Sequence, residues 1–430
     1  MKRRPYRAVR IKGLDEGRLF CEVSGESVVA AIDVAKEEMV CGLMTEPYEA
    51  KVRVKWTHPG ETGEFVSLLC RLPARDVQVV MESSGTYGDS VRYQLQKRGF
   101  LVFRVSAKRS HDAHEVYDGV PSVHDGKSCM VIGKLHFDGL SDPWPQRDDV
   151  ERRLGAAIQV MEMYESEYHR YVNRLEGQLG RHWPELCGEL ELGCATVLAL
   201  LSRYGGPSGV RGDEGGAREL MRRVGGSFLE EKKIAGVLRC ARGSLGVPQL
   251  EEEEGLVCEL AGAADRARRG AASARRRVED LSEGDGETRA LGKVVGKATG
   301  SVLKYCLGSA QRHSSASSYV KSAGLNLKEK SSGKYVGQLK ITKRGPGLAR
   351  RYLWMAVLRL IQKDGIIKAW YDRKVARDGG RKGKALVAVM RKLLKGLWHV
   401  GRGAEFDCRL LFDTRRLGLA RRRLRQVCPC

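Results

Sequence analysis

The first 147 residues alternate between apolar stretches of strand length and amphipathic stretches of helix length. The hydrophobic spacing predicts a strand, a turn and a returning strand within 27–44. It then predicts a strand at 50–58, a helix at 62–72, a strand at 77–83, a helix at 87–99 and a strand at 100–106. A helical stretch follows from Asp125. Strands that come first in hairpins and then in strand–helix units predict a mixed α/β sheet with helices on its faces.

Two long amphipathic helices are predicted in the middle of the chain. Apolar residues recur every three or four positions over 149–180, and 251–281 is acidic at its start and arginine-rich toward its end, as the helix dipole favours. The pair forms either an antiparallel coiled-coil arm or two helices of an ordinary bundle. Between them, 181–248 predicts short helices broken at "YGGPSGVRGDEGG" (204–216).

The last third of the chain predicts a mainly helical domain. Its pattern favours one helix over 287–310, a serine-rich turn over 312–318, and helices with cationic outer faces over 346–364 and 382–400. The basic tail is expected to stay disordered until it meets a polyanion. The sequence therefore predicts five parts. They are a basic N-terminal extension (1–26), an α/β domain (27–147), a coiled-coil arm with a helical insert (148–285), a helical domain (286–410) and a basic tail (411–430).

Charge narrows the class of partner. The 76 Lys and Arg residues against 53 Asp and Glu residues leave a formal charge of +23. Such an excess indicates nucleic acid, although a basic protein without a polyanionic partner remains the alternative. The 12 cysteines include no Cys-x-x-Cys pair, which argues against a zinc finger or ribbon. No signal peptide or membrane span is recognisable, so a cytoplasmic location with reduced thiols is expected.

Three acidic residues indicate a metal site. Asp33 lies in an apolar strand, Glu82 ends the next buried strand, and Asp125 opens a helical stretch. Carboxylates in these places supply the hard oxygen ligands of Mg²⁺ or Mn²⁺, and two such ions suit phosphodiester chemistry. Asp33 as a solvated strand-end residue and Asp125 as a plain helix cap remain open.

The stretch Glu329–Gly345, "EKSSGKYVGQLKITKRG", holds a candidate nucleophile. Ser331 and Ser332 precede a glycine and have no histidine nearby to act as a base. A phosphate-binding loop without covalent chemistry is the alternative. The predicted nucleic-acid-binding cations in and just after this stretch are Lys330, Lys334, Lys340, Lys343, Arg344, Arg350 and Arg351.

Motifs spread over 28–410 resemble one family of enzymes. They are "AIDVAKEE", "MESSGTYG", "GFLVFRVSAKRS", "HDGKSCMVIGKL", "SAGLNLKEKSSGKYVGQLKITKRGPGLARRYLWMAVL" and "KGKALVAVMRKLLKGLW". In this order they resemble the DEDD transposases of the insertion-sequence one-ten family, the bridge-RNA-guided serine recombinases. The resemblance implies a RuvC-like ribonuclease-H-type domain, a coiled coil and a C-terminal transposase domain.

The resemblance also implies roles for residues. Asp33, Glu82 and Asp125 correspond to the first three acidic residues, and Ser332 to the nucleophile, with Ser331 as its alternative. The family's fourth acidic residue lies three positions after the third, on the same helix face. This chain has Ser128 there, so either three carboxylates suffice, or Asp118 or Asp138 substitutes, or the enzyme is impaired.

The implied activity is DNA strand exchange through a phosphoserine link. Target and donor DNA, a structured guide RNA, divalent metal and a homodimer or homotetramer with a composite site are its expected partners. Two alternatives stay open: a metal-dependent nuclease in which the serine is idle, and a non-catalytic nucleic-acid-binding descendant of a transposase.

Overall fold

The computed structural model describes residues 6–83, 85–120, 124–329, 331–332, 335–337, 339–413 and 417, with only the backbone of Ser331, Ser332, Tyr335 and Val336. The chain divides into two compact units, Met1–Arg147 and Asp148–Cys430. The finer five-part division stays a prediction. No helix in the described ranges is long and apolar enough to cross a membrane.

The first unit is built on a seven-stranded mixed sheet in the order β1-β4-β3-β2-β5-β6-β7. Its strands are β1 (Val9–Arg10), β2 (Ser27–Asp33), β3 (Glu38–Glu46), β4 (Glu49–Thr57), β5 (Asp76–Glu82), β6 (Leu101–Val105) and β7 (Asp142–Pro143). Its helices are α1 (Glu16–Val23), α2 (Thr62–Arg71), α3 (Asp89–Lys97), α4 (Ala107–Asp118) and α5 (Asp125–Phe137), with a 3-10 turn at Ile11–Gly13. Strands β2, β5 and β6 are parallel, whereas β3 is antiparallel to both of its neighbours.

Strand alternation sorts the residues of β2 between two apolar cores. Val28, Ala30 and Ile32 share a core with α1, α2 and α3, whereas Val29 and Ala31 share a core with α5. Because successive side chains of a strand point to opposite faces, Asp33 belongs to the α5 face. Both faces are covered, which is why β2 is apolar almost throughout.

The elements predicted in the first unit are all present within a few residues of their expected bounds. Helices α1 and α4 were not predicted. The basic stretch 1–26 includes α1, whose Leu19 and Val23 are buried in the sheet core. The described part of this stretch thus packs as part of the first unit.

The second unit is mainly helical. Its helices are α6 (Asp149–His182), α7 (Leu186–Glu189), α8 (Ala195–Tyr204), α9 (Pro207–Gly212), α10 (Glu214–Gly225), α11 (Glu231–Arg242), α12 (Glu251–Ser282), α13 (Gly286–Val295), α14 (Lys297–Leu307), α15 (Ala316–Ser322), α16 (Gly347–Lys363), α17 (Gly365–Arg377), α18 (Lys382–Gly401) and α19 (Cys408–Leu411). 3-10 turns lie at Gly226–Phe228 and Ala310–Arg312. Four two-residue strands are β8 (Leu327–Lys328), β9 (Ser331–Ser332), β10 (Tyr335–Val336) and β11 (Lys340–Ile341).

The two predicted long helices are both present as α6 and α12, and they pair antiparallel. Glu165 meets Arg275 at 2.6 Å, and Glu253 meets Arg181 at 3.3 Å farther along the pair. At one end, the short helices α7–α11 complete an apolar core with α6 and α12. At the other end, Tyr352 of α16 packs into a core shared by both long helices.

Several local predictions for the second unit were wrong. The single helix expected over 287–310 is two helices, because Gly296 between them has φ +92°, outside the helical region. The expected serine-rich turn contains the start of α15, capped by the Ser315 side chain. The expected break at 204–216 contains α9 and the start of α10, and α17 was not predicted. The predicted disorder of the basic tail falls almost wholly outside the described residues.

Candidate active site

Two of the predicted carboxylates lie side by side at the ends of parallel strands. The register pairs Ile32 of β2 with Met81 of β5, so Asp33 and Glu82 are the next residues along each strand. Hydrogen-bonded strands lie about 4.8 Å apart, and residues at equal register point to the same face. Both carboxylates therefore project from the α5 face at one edge of the sheet.

Helix α5 brings a third carboxylate to this face. Asp125 is the first residue of the helix and is exposed, while His124 is the N-cap and accepts from the Lys127 N–H. Asp125 is therefore not the helix cap, so that alternative was wrong. The helix starts tightly against the chain, because a Cβ on Gly126 would lie 2.3 Å from the carbonyl oxygen of Tyr6. Only glycine permits this approach.

The charges of Asp125 and Glu82 act on the carboxyl of Asp33. Burial raises the pKa of Asp33 from 3.8 to about 7, and the charges of Asp125 and Glu82 add to the rise. Hydrogen bonds with the Ser128 side chain and the Val34 backbone lower this pKa. Asp33 is therefore not a freely solvated strand-end residue, because mutual repulsion and burial hold its proton.

The donor set suits a hard divalent cation. Carboxylate oxygens are the ligands that Mg²⁺ and Mn²⁺ prefer, and crowded carboxylates gain most when a cation shares their charge. In this conformation, however, no three His, Cys, Asp or Glu side chains of the described residues are gathered closely enough to hold a metal ion. The chemistry of Asp33, Glu82 and Asp125 fits the metal, whereas their spacing leaves the site open.

Ser128 occupies the position of the absent fourth carboxylate and is buried, with 6% of its surface exposed. Its Oγ lies 3.1 Å from Nε2 of His114 and 3.2 Å from the carbonyl oxygen of His124. Nδ1 of His114 lies 2.7 Å from the carbonyl oxygen of Ser110 and donates a hydrogen bond to it; in the tautomer with this single ring proton, Nε2 is an acceptor. The single hydroxyl proton of Ser128 thus has several possible acceptors, Asp33 among them.

Neither proposed substitute for the fourth carboxylate lies in this cluster. Asp118 bonds the fully buried ammonium of Lys127 at 2.7 Å and the hydroxyl of Tyr6 at 2.7 Å. These contacts, led by the Lys127 bond, lower the pKa of Asp118 to about 2. Asp138 follows the far end of α5, about 20 Å along the helix from Asp125, and pairs with Lys134 at 2.6 Å.

Ser332 belongs to the second unit, on a two-step hairpin. Lys340 pairs with Lys328 at its base, and Tyr335 pairs with Ser332 near its tip. Val336 pairs with Ser331 in the same two-residue ladder. Gly333 and Lys334, between Ser332 and Tyr335, lie outside the described residues. The choice between Ser331 and Ser332 stays a prediction.

The base of this hairpin is anchored to the helices around it. The Thr342 hydroxyl donates to Oδ1 of Asn326 at 2.6 Å. Nη1 of Arg350, on α16, donates to the carbonyl oxygens of Ala323 at 3.1 Å and Gly345 at 2.8 Å. These hydrogen bonds hold the base of the hairpin in place next to α15 and α16.

The predicted nucleic-acid-binding cations have different surroundings. Lys340 is exposed on β11, and Lys343 has φ +56° in the turn that leads to Arg344. Arg350 is engaged with the two carbonyls, and Arg351 bonds Glu162. The remaining two, Lys330 and Lys334, lie outside the described residues.

One comparison bears on the second unit. Residues 293–372 match the family model described as "Transposase IS116/IS110/IS902 family". The match supports a transposase of this family. It covers the end of α13, all of α14 and α15, the serine hairpin, α16 and part of α17. No curated protein matched the chain.

His114 is the neighbour of the carboxylate cluster that the sequence did not indicate. It lies on α4, is 6% exposed, and reaches the cluster through Ser128. The signal available was a histidine in an amphipathic stretch just before the acidic helix, which is too common to single out. Its role depends on how α4 packs on α5.

Proposed function

We propose that this protein is a DNA transposase that exchanges strands through a covalent phosphoserine at Ser332. The observation that carries the proposal is the placement of Asp33, Glu82 and Asp125 on the α5 side of the sheet, where the charges of Asp125 and Glu82 help to raise the pKa of Asp33. The transposase match over 293–372 supports it independently. A RuvC-like ribonuclease-H-type first unit is part of the proposal, supported by carboxylates at the ends of strands in a mixed sheet.

The acidic cluster is the catalytic centre of the proposal. Asp33, Glu82 and Asp125 would hold Mg²⁺ or Mn²⁺, which when bound stabilises charge on the oxygens of the phosphate being transferred. Ser128 would support Asp33 by donating a hydrogen bond to its carboxylate. In the proposal, Ser332 of one subunit acts with the acidic cluster of another subunit, in a dimer or tetramer.

The serine step conserves the energy of the broken bond. The Ser332 oxygen attacks the phosphorus, an O–P bond forms to serine, and the bond from phosphorus to the 3′ oxygen breaks. The serine proton is passed to the departing 3′ oxygen, which leaves as a hydroxyl. A 3′ hydroxyl of the new partner strand reverses the step, so joining needs no nucleotide triphosphate. Target and donor DNA are the substrates, and a structured guide RNA selects them.

A denaturing gel tests this mechanism. After incubation with target DNA and Mg²⁺, the wild-type protein should form a covalent protein–DNA adduct, because the phosphoserine bond survives denaturation. Ser332→Ala should abolish the adduct, whereas Ser331→Ala serves as the matched control and should retain it. Loss of the adduct in Ser331→Ala alone would move the nucleophile by one residue.

Other outcomes would favour the two competing functions. Cleaved DNA with no adduct would indicate a nuclease in which the serine is idle. DNA binding with neither cleavage nor adduct would indicate a non-catalytic descendant. The observation that favours a non-catalytic descendant is the hydroxyl of Ser128, which stands where a fourth carboxylate is expected.

A further inference from the structure

A groove in the second unit lies where the two long helices meet α14 and α16. Its volume is about 960 Å³, and its walls come from α6, α12, the first turn of α14, and α16. Six Arg and Lys side chains line it: Arg268, Arg275, Arg276, Lys297, Arg351 and Arg359. Two carboxylates, Glu165 and Glu279, line it as well.

Half of these cations are neutralised within the protein and build the groove wall. Arg275 bonds Glu165 at 2.6 Å, Arg268 bonds Asp265 at 2.8 Å, and Arg351 bonds Glu162. The hydroxyl of Tyr352, on α16, donates to Glu162 at 2.8 Å and thereby links α16 to α6. The wall is thus cross-linked between helices, and its shape does not depend on a ligand.

The other three cations keep their charge. Arg276 on α12, Lys297 on α14 and Arg359 on α16 have no ion-pair partner within the ranges that the structure describes. Arg359 donates only to neutral groups, the carbonyl of Val295 at 3.1 Å and the hydroxyl of Thr299 at 3.2 Å. Three separate helices therefore bring positive charge to one groove, in excess of Glu279, the one lining carboxylate of the described residues that is outside these ion pairs.

The start of α14 adds to this field. Its N-cap is Gly296, which supplies no side-chain cap, and Gly296, Lys297, Ala298 and Thr299 all line the groove. Uncapped N–H groups and the positive end of the helix dipole favour an anion. Helix α13 ends at the same glycine, so its negative end opposes part of this effect, and the three cations define the anion-binding site on their own.

We propose that this groove seats the sugar–phosphate backbone of DNA. Cations on three walls of a wide groove suit a run of successive phosphates better than a single small anion. Two of those walls, the start of α14 and α16, lie within the segment that matches the transposase family model. The inference deepens the proposed function by giving the DNA partner a second contact surface, apart from Ser332 and the acidic cluster.

Salt-dependent DNA binding tests the groove. The test variant is Arg276→Gln with Lys297→Gln, since neither side chain contributes an ion pair to the described fold. The matched control is Arg266→Gln with Arg277→Gln, which removes the same charge from exposed positions of α12 outside the groove. Fluorescence anisotropy with a 30-base-pair duplex gives the dissociation constant from low to moderate salt.

The groove variant should reduce the slope of log affinity against log salt by about 1.8, because each phosphate contact contributes about 0.9. The control should change the slope by much less. Equal changes in the two variants would overturn the inference, as would an unchanged slope in the groove variant. If the groove variant lost more affinity for a single-stranded RNA of equal length than for the DNA, the assignment to DNA would be overturned.

A second measurement does not depend on the charge variants. Ala272, which is exposed and lines the groove, can be replaced by a photo-crosslinking amino acid introduced during translation, so that the exposed native cysteines are not labelled. It should crosslink to bound DNA, whereas the same amino acid at position 277 should not. Absence of crosslinking from the groove position would contradict the inference.

The adduct gel separates this inference from the proposed function. An adduct lost in Ser332→Ala, with salt slopes equal in the groove and control variants, would leave the proposed chemistry standing and remove the groove. A reduced slope in the groove variant without any wild-type adduct would support the groove and contradict the proposed phosphoserine chemistry.

Discussion

Asp33→Asn should stabilise the metal-free protein at neutral pH, although it removes a proposed metal ligand. Folding places the Asp33 carboxyl in a buried position near Asp125 and Glu82, which raises its pKa from 3.8 to about 7. A shift of roughly 3 pKa units corresponds to about 4 kcal/mol, at about 1.36 kcal/mol per unit. Asparagine keeps the shape of the side chain without the charge, so the variant avoids this penalty.

The sign of the effect follows from proton binding. Between about pH 4 and pH 7 the folded protein keeps a proton on Asp33 that the unfolded chain has released. The associated stability is therefore complete below about pH 4 and is lost as the pH rises through about 7. Asp33→Asn should match the wild type at low pH and exceed it by up to about 4 kcal/mol at pH 8.

Hydrogen exchange of peptides covering β2 and β3 measures this in the first unit alone. Opening free energies, corrected for the intrinsic pH dependence of exchange, should diverge between wild type and Asp33→Asn as the pH rises. Asp76→Asn is the control with opposite sign, because a hydrogen bond from Ser27 holds the pKa of Asp76 below its usual value. That variant should lose stability at neutral pH.

Adding Mg²⁺ at about a hundred times its dissociation constant should remove most of the advantage of Asp33→Asn over wild type. Binding to the folded state stabilises by about 2.7 kcal/mol at a hundred times the dissociation constant. Only the protein with the full ligand set should gain this. Equal opening free energies for wild type and Asp33→Asn from pH 5 to 8 would refute the carboxylate cluster itself.

Three further changes test neighbouring contacts. Ser128→Asp adds a fourth carboxylate, so it should lower the thermal midpoint without metal and enlarge the stabilisation by Mg²⁺. Ser128→Asn is the uncharged control. Equal stabilisation of the two variants by Mg²⁺ would contradict a metal site at the carboxylate cluster. Asp118→Asn leaves the buried ammonium of Lys127 without its carboxylate, so the thermal midpoint should fall. Adding Lys127→Met should recover part of the loss. If it does not, the loss of stability does not come from the unpaired ammonium. Gly126→Ala places a Cβ 2.3 Å from a backbone oxygen and should cost about 1 to 3 kcal/mol in urea unfolding. Gly63→Ala, with nothing within 4 Å on helix α2, should instead gain up to about 1 kcal/mol, and equal effects of the two changes would refute the close approach of α5.

Much of the first unit follows from local pattern. The run "SVVAAID" is apolar on both faces because helices cover both sides of β2, and the break after Asp33 marks the strand end. The same reasoning places Glu82 at the end of β5. What local pattern omits is the register between the strands. That register, which pairs Ile32 with Met81, is set by the packed sheet and brings the two carboxylates together.

Long-range packing also explains the wrong predictions. Gly296 sits in a helix-favouring stretch, where a single glycine is tolerated, yet the chain turns there with φ +92°. Arg359, 63 positions later, donates to Val295 before the break and Thr299 after it. A contact between residues so far apart in sequence leaves no trace in the local hydrophobic spacing.

Ser128 changes the balance of charge in the cluster as well as its ligand count. With its pKa raised to about 7 by burial and by the neighbouring carboxylates, Asp33 takes up and releases its proton near neutral pH in the metal-free protein. Ser128 helps to hold the pKa down by hydrogen bonding to the carboxylate. A carboxylate at position 128 would add a like charge and raise that pKa further. The hydroxyl therefore gives up one potential metal ligand while keeping Asp33 available in its ionised form, the form that binds a cation. A site with three carboxylates and this serine should bind metal more weakly than one with four, yet lose less of its affinity to protonation near pH 7.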